Sequence, residues 1–143
     1  MLEAAGAVAD NRVVKVGEKT FRVISSEGDR EYRVYVDLER MEACSTDNGT
    51  VYRNYVGYPI ISALYLTNAI PYDPAVGASL SGINWRHLNE TLKSYALVEA
   101  KVKEITKERG VTPERIDEYV NEVYTTLRKL KFLKTEECLR NEL

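Results

Sequence analysis

The spacing of the apolar residues changes near the middle of the chain, and this change constrains the fold more than any single motif. Between residues 31 and 38 apolar and polar side chains alternate, which is typical of a strand with one buried face. Between residues 88 and 130 apolar residues recur every three or four positions, which is typical of amphipathic helices. The sequence therefore predicts an α+β fold, with a small antiparallel sheet followed by helices.

The first half of the chain is divided into short strands by turn residues. Apolar runs at 13–16 and 21–24 precede the alternating segment, and a fourth strand is predicted at 41–46. Asp47-Asn48-Gly49 then predicts a hairpin turn, because Asn and Gly tolerate positive φ, and residues 51–56 are expected to return as the opposing strand. After Pro59 comes a short segment that is apolar nearly all round, which predicts a buried helix.

Two longer helices follow in the second half. Asn84 is a candidate N-cap for a single helix that reaches Gly110, and Thr112-Pro113 predicts the start of the next. Because the connection is so short, the two helices should form an antiparallel hairpin. We therefore expect a β-rich unit at 1–70, a Pro/Gly linker at 71–82 and a helical hairpin at 83–143, packed together as one compact domain.

Composition excludes several classes of protein. The formal net charge of −2 provides no overall basic footprint for nucleic acid. Two cysteines and one histidine are too few for an ordinary zinc site or a disulfide-rich scaffold, so reduced cysteines in the cytoplasm are expected. No segment predicts a membrane span or a signal peptide. The absence of glutamine weakly indicates a thermophilic source, although eight asparagines argue against it.

Residues 5–67 place strands, a hairpin and a short helix around Cys44. The segments are Phe21-Arg-Val-Ile-Ser-Ser-Glu-Gly, Tyr32-Arg-Val-Tyr-Val, Cys44-Ser-Thr-Asp and Gly57-Tyr-Pro-Ile-Ile-Ser-Ala-Leu. In order and pattern they resemble a SWIM-type zinc finger, which carries Cys-x-Cys on a hairpin and Cys-x-His at the start of a short helix. The resemblance puts the ligand positions at Cys44, Thr46, Ile60 and Ser62. Only Cys44 is a good zinc ligand, so the resemblance implies a degenerate finger without metal.

The resemblance also carries functional expectations. SWIM-type families bind DNA or proteins, and some archaeal and eukaryotic members accompany RecA-like recombination proteins. It therefore implies a non-catalytic protein-interaction module, without cofactor, that binds a partner protein or a second copy of itself. The alternative is a DNA-binding accessory protein of recombination, repair or transcription, and an enzyme ranks third.

Tyrosine supplies the first group of candidate binding residues. The chain has ten tyrosines against two phenylalanines and one tryptophan. Tyr52, Tyr55 and Tyr58 are interleaved with Arg53, a combination that could anchor a protein partner or stack on nucleic-acid bases. The ordinary alternative is that these rings simply pack in the core and on the surface of the sheet.

A basic run near the end of the last helix is the second candidate. It consists of Arg128, Lys129, Lys131 and Lys134. Such a run indicates either a phosphate-binding patch or the cations that a helix C-terminus ordinarily favours.

The sequence offers little support for catalysis. His87 has only Glu90 within local reach as an acid–base partner. The sequence also lacks a Gly-rich phosphate loop and a Gly-x-Ser-x-Gly nucleophile elbow. We therefore predict no catalytic residues.

Overall fold

The structure, a computed structural model, describes residues 1–47 and 56–136. Its elements confirm the α+β class. In chain order they are α1 (Leu2–Ala9), β1 (Val13–Lys15), β2 (Thr20–Ile24), β3 (Glu31–Asp37), β4 (Glu42–Ser45), α2 (Tyr58–Leu66), α3 (Pro74–Ser79), α4 (Trp85–Leu92), α5 (Tyr95–Glu108), α6 (Pro113–Leu130) and β5 (Leu133–Lys134).

The strands form one sheet in the order β1-β2-β3-β4-β5. The first three pairings are antiparallel, with Phe21 opposite Val34 and Tyr35 opposite Cys44. Strand β5 adds to β4 in parallel and places Leu133 opposite Glu42. The sequence analysis missed β5, because two residues are too few to display an alternating pattern.

Helix α2 covers the buried face of the sheet. Its residues from Pro59 to Tyr65 are all buried, which agrees with the prediction of a short helix that is apolar nearly all round. Helix α1 packs on α2 and on α3 through Ala4, Ala5 and Ala7, which are fully buried. The sequence analysis missed α1 because these small residues form no stripe of large apolar side chains.

The segment predicted as a linker contains helix α3. Asp73 caps this helix by accepting hydrogen bonds from the backbone N–H groups of Ala75 and Val76, at 2.9 and 3.3 Å. Val76 is fully buried, so residues 71–82 contribute to the core rather than merely connecting two units.

The single long helix predicted after Asn84 is in fact two helices. Helix α4 ends at Leu92, and its C-cap Lys93 has a left-handed backbone with φ of 52°. Helix α5 then begins with Ser94 as N-cap, whose hydroxyl accepts a hydrogen bond from Leu97 N–H at 3.4 Å. The apolar spacing continues across this break, and for that reason periodicity alone did not detect it. The start of α6 is as predicted, with Thr112 as N-cap.

At the end of β3 the observed burial also differs from the predicted alternation of buried and exposed side chains. Asp37, predicted to face solvent, is buried, whereas Leu38, predicted to face the core, is 44% exposed. The Asp37 carboxylate accepts hydrogen bonds from the backbone N–H groups of Glu39 and Arg40, both at 3.0 Å, and pairs with Lys19 at 3.2 Å. These bonds start the turn into β4 and end the alternation one residue early.

Two predicted features fall on residues 48–55, outside the described part of the chain. They are most of the Asp47-Asn48-Gly49 turn and most of the returning strand at 51–56. Among the helices of residues 1–47 and 56–136, none has both the length and the apolar composition needed to cross a membrane.

Candidate docking groove

A groove of about 430 Å³ lies between the N-terminal helix and the C-terminal helices. Helices α1, α2, α4, α5 and α6 all contribute side chains to it. Its described lining is mostly apolar and consists of Met1, Leu2, Glu3, Val56, Tyr58, Ile61, Trp85, Asn89, Tyr95, Val98, Glu99, Val102 and Val120. We refer to it as the docking groove.

Exposed aromatic and aliphatic side chains border the docking groove. Tyr95, at the start of α5, is 87% exposed, and Val56 is 41% exposed. Tyr124 lies one helical turn beyond Val120 on α6 and is 50% exposed. Of these three side chains, Tyr95 and Val56 line the groove itself.

Trp85 forms part of the groove wall and is only 7% exposed. Its indole N–H has no hydrogen-bond partner within the described residues. Gly6 of α1 lies beside it and allows α1 to approach the Leu80 backbone, because a Cβ at this position would lie only 3.1 Å from the Leu80 carbonyl oxygen, while its 3.5 Å from Trp85 Nε1 would be an ordinary contact. The close approach of α1 thus brings Leu2 and Glu3 to the groove.

Polar groups gather where Glu3, Tyr58 and Asn89 meet. Neither the Glu3 carboxylate nor the Tyr58 hydroxyl has a hydrogen bond or ion pair within the part of the chain that the structure describes. Burial raises the pKa of Glu3, while the positive charges of the Met1 amino group and Arg12 act more weakly in the opposite direction. Burial, followed by the nearby charge of Glu3, raises the pKa of the Tyr58 hydroxyl.

These three residues also line a second, polar cavity of about 190 Å³. Its other lining residues are Ser25, Ser26, Arg30, Tyr32, Arg86 and Glu90. Arg86 forms ion pairs with Asp29 and, at 3.1 Å, with Glu90. Hydrogen bonds from Ser25 and Arg86 hold the pKa of the Asp29 carboxyl below its usual range. The apolar groove thus adjoins a polar cavity, and the two share Glu3, Tyr58 and Asn89.

The predicted tyrosine cluster is only partly within the described residues. Tyr58 lines both cavities and packs edge-on against Tyr32, with ring centroids 6.1 Å apart. Tyr52, Arg53 and Tyr55 lie outside the described part of the chain. The structure therefore brings one of the predicted tyrosines to the groove.

The predicted basic residues follow one another from the last turn of α6 to β5. Arg128, Lys129, Lys131 and Lys134 are all exposed, and none lines the docking groove. The Arg128 guanidinium lies over the Tyr124 ring, 5.6 Å from its centroid.

Each position that the SWIM resemblance assigned to a zinc ligand has another role in the structure. Cys44 is buried in β4 and is disulfide-bonded, which corrects the expectation of reduced cysteines; Cys138, the other cysteine, lies outside the described residues. The Thr46 hydroxyl accepts a hydrogen bond from Arg33 N–H at 3.0 Å. Ile60 is buried in α2, and the Ser62 hydroxyl donates to the Tyr58 carbonyl at 2.8 Å.

The described residues contain no group of three or more His, Cys, Asp or Glu side chains placed to hold a metal ion. His87, the only histidine of the chain, is exposed on α4. Its backbone N–H donates to the Asn84 side chain at 3.0 Å, which confirms Asn84 as an N-cap.

Among the groove residues that sequence reasoning missed are Glu3, Trp85 and Asn89. They come from α1 and α4, about 80 positions apart in the chain. No local pattern connects them, because only the packing of α1 against the later helices brings them together. The most relevant sequence signal was the apolar spacing in the second half of the chain. It predicted the later helices but not that α1 packs with them.

The fold and the groove together define an α+β protein with a helix-walled apolar cavity. The chain belongs to the family described as uncharacterised conserved protein UCP014422, which matches residues 1–133. No curated protein and no solved structure matches the chain. The family match does not link the chain to SWIM-type zinc fingers, so that resemblance stays a prediction.

Proposed function

We propose that this protein is a non-catalytic interaction module whose docking groove receives a segment of a partner protein. The apolar groove with its exposed rim is the observation that carries the proposal. The proposal stands on this surface alone and does not depend on descent from a zinc finger.

Aromatic side chains make the groove suitable for protein recognition. Trp85 forms its wall, and Tyr95 and Tyr58 stand at its borders. Tryptophan and tyrosine are enriched among the residues that contribute most to protein–protein binding, because they bury large areas with few rotatable bonds. A partner's apolar side chains would remove Val56 and Tyr95 from water as they filled the groove.

Asn89 provides a way to block the groove without disturbing the core. This residue is exposed, lies on α4 and lines both cavities. Asn89→Phe should therefore fill the entrance. His87→Phe is the matched control, because it adds the same ring to an exposed position of the same helix that lines neither cavity.

The test is a selection of displayed random peptides on the wild-type protein, with removal of those that bind Asn89→Phe. The emission of Trp85, the only tryptophan of the chain, then measures binding of the selected peptides directly in the groove. We expect apolar peptides that bind the wild type and His87→Phe alike and bind Asn89→Phe at least tenfold more weakly. The proposal is wrong if no selected peptide distinguishes Asn89→Phe from the wild type.

Self-association would place a second copy at the same groove. Sedimentation equilibrium over a range of protein concentrations distinguishes this case. A dimer that dissociates in Asn89→Phe but not in His87→Phe would show that the occupant is a second copy and not a different protein.

DNA binding is the second candidate function, and the exposed basic residues from Arg128 to Lys134 are the observation in its favour. Binding through them should weaken steeply as salt increases, because neutralised phosphates release counterions. Titration of duplex DNA at about 50 mM salt tests this candidate, and absence of binding there removes it.

A further inference from the structure

We propose that the docking groove selects a basic amphipathic segment, with a lysine or arginine of the segment paired to Glu3 and its apolar side chains against the groove wall. This inference rests on the proposed function and adds the chemistry of the partner. It follows from which charged side chains line the groove and from which of them already have an ion-pair partner.

All the charged side chains among the described lining residues of the groove are carboxylates. They are Glu3 and Glu99, and none of the described lining residues is a lysine or an arginine. Glu99 already has a cation beside it, because Lys103 Nζ lies 3.1 Å from its carboxylate and 2.8 Å from that of Asp117. Glu3 is therefore the carboxylate of the described lining that has no cation within ion-pair distance.

Glu3 lies in a setting that disfavours an unpaired charge. Its side chain is half-buried and has no hydrogen bond or ion pair within the described residues. A carboxylate removed from water without a donor is costly, and a cationic side chain from a partner would supply both the charge and the donors. Among the described residues, the groups around Glu3 are the Met1 amino group, Arg12 and Tyr58, with Arg30 and Arg86 on the walls of the polar cavity. None of these cations lies within ion-pair distance of the Glu3 carboxylate.

The surroundings of Glu3 suit the end of a long basic side chain. On one side is the apolar wall of Leu2, Ile61 and Val98, along which the methylene groups of a lysine could lie. On the other side is the polar cavity, where Asn89 and the Tyr58 hydroxyl can accept further hydrogen bonds from an ammonium or guanidinium group. The arrangement matches a side chain with an apolar stem and a cationic tip.

The experiment uses two synthetic amphipathic peptides without tryptophan or tyrosine. One is composed of leucine and lysine, and in the other each lysine is replaced by glutamate. Trp85 emission reports their binding to the wild type, to Glu3→Gln and to Glu118→Gln. Glu118 is exposed on α6 and outside the groove, so Glu118→Gln removes the same charge elsewhere and corrects for general attraction between a basic peptide and the protein.

We expect the lysine peptide to bind the wild type and Glu118→Gln equally, and to bind Glu3→Gln about tenfold more weakly. The glutamate peptide should not bind the wild type. Equal binding of the lysine peptide to the wild type and Glu3→Gln would overturn the inference.

The two proposals fail in different ways. If Asn89→Phe blocks the lysine peptide but Glu3→Gln does not weaken it, the groove receives peptides and only its charge selectivity is refuted. If Asn89→Phe leaves binding unchanged, the docking groove itself is refuted. Thermal melting of Glu3→Gln shows that any loss of binding comes from a folded protein.

Discussion

Glu3 connects the stability of this protein with its proposed function at the scale of one residue. Because burial raises its pKa, the folded state binds the Glu3 proton more tightly than the unfolded state does. Its contribution to stability is therefore fully present below the unfolded pKa, about 4.3, and is lost as pH rises through the folded pKa. Above the folded pKa the charged carboxylate makes the fold less stable than it is with Glu3 protonated.

Glu3→Gln should therefore raise the melting temperature at neutral pH. We expect a rise of about 2–4 °C, which corresponds to about 1 kcal/mol in a chain of this size. The difference from the wild type should disappear at pH values below the unfolded pKa, where Glu3 is protonated in both states. Thermal melts over a series of pH values measure it. A lower melting temperature at neutral pH would show that Glu3 has a stabilising partner in the fold.

At Gly77, packing leaves no room for a side chain. It is buried in α3, where a Cβ would lie 2.8 Å from Tyr72 Cζ and closer still to the Tyr72 hydroxyl. The Tyr72 ring also packs against Tyr65, with centroids 5.7 Å apart, so it cannot shift freely. Gly77→Ala should lower the free energy of unfolding by about 1–3 kcal/mol.

The cause can be checked by a double-mutant cycle measured by urea denaturation. In a Tyr72→Ala background the new methyl group meets no ring, so Gly77→Ala should be neutral or stabilising, as expected for alanine in a helix. Equal destabilisation in both backgrounds would mean that the Tyr72 ring is not the reason why position 77 requires glycine.

At the scale of elements, the break between α4 and α5 has a specific backbone cost. Lys93 adopts φ of 52° and ψ of 19°, a conformation in which glycine is free of strain and lysine is not. The Lys93 side chain is exposed and has no partner within the described residues, so its removal should cost little.

Lys93→Gly should therefore stabilise the protein by about 0.5–1 kcal/mol. The midpoint of chemical denaturation measures the change, and Lys93→Ala is the control because it also removes the side chain but keeps the strain. The same gain in Lys93→Ala would assign the effect to the side chain rather than to the backbone.

The elements that sequence reasoning predicted are those that carry their own pattern. Strands β1 to β4 alternate or form short apolar runs, and α6 has both an apolar stripe and the Thr112 cap. Helices α1 and α3 were missed because their buried faces are built of small residues such as Ala4 and Gly77. The groove could not be predicted, because its walls come from five helices whose packing no local pattern encodes.

At the scale of the whole molecule, the segment 71–82 joins the N-terminal half to the helical hairpin. From one side, Asp10 after α1 accepts hydrogen bonds from the Ser81 hydroxyl at 2.5 Å and from Gly82 N–H at 3.0 Å. From the other, Arg109 after α5 donates to the Ser79 and Ser81 carbonyls at 3.0 and 2.7 Å. Since α1 and α5 are both walls of the docking groove, this segment sets the spacing between those walls.

Asp10→Ala and Arg109→Lys should therefore be coupled in their effects on stability. Each should cost about 1 kcal/mol, because the shorter lysine side chain does not carry a donor to the place where Arg109 Nη1 donates to both carbonyls, and alanine leaves the Ser81 hydroxyl without its acceptor. Either change releases the same segment, so the double variant should lose at least about 0.5 kcal/mol less than the sum of the two. Urea denaturation of the four proteins measures this coupling.

Arg128→Lys, at the exposed end of α6, is the control and should combine additively with Asp10→Ala. Strict additivity of Asp10→Ala and Arg109→Lys would mean that the two halves are held together independently of residues 79–82.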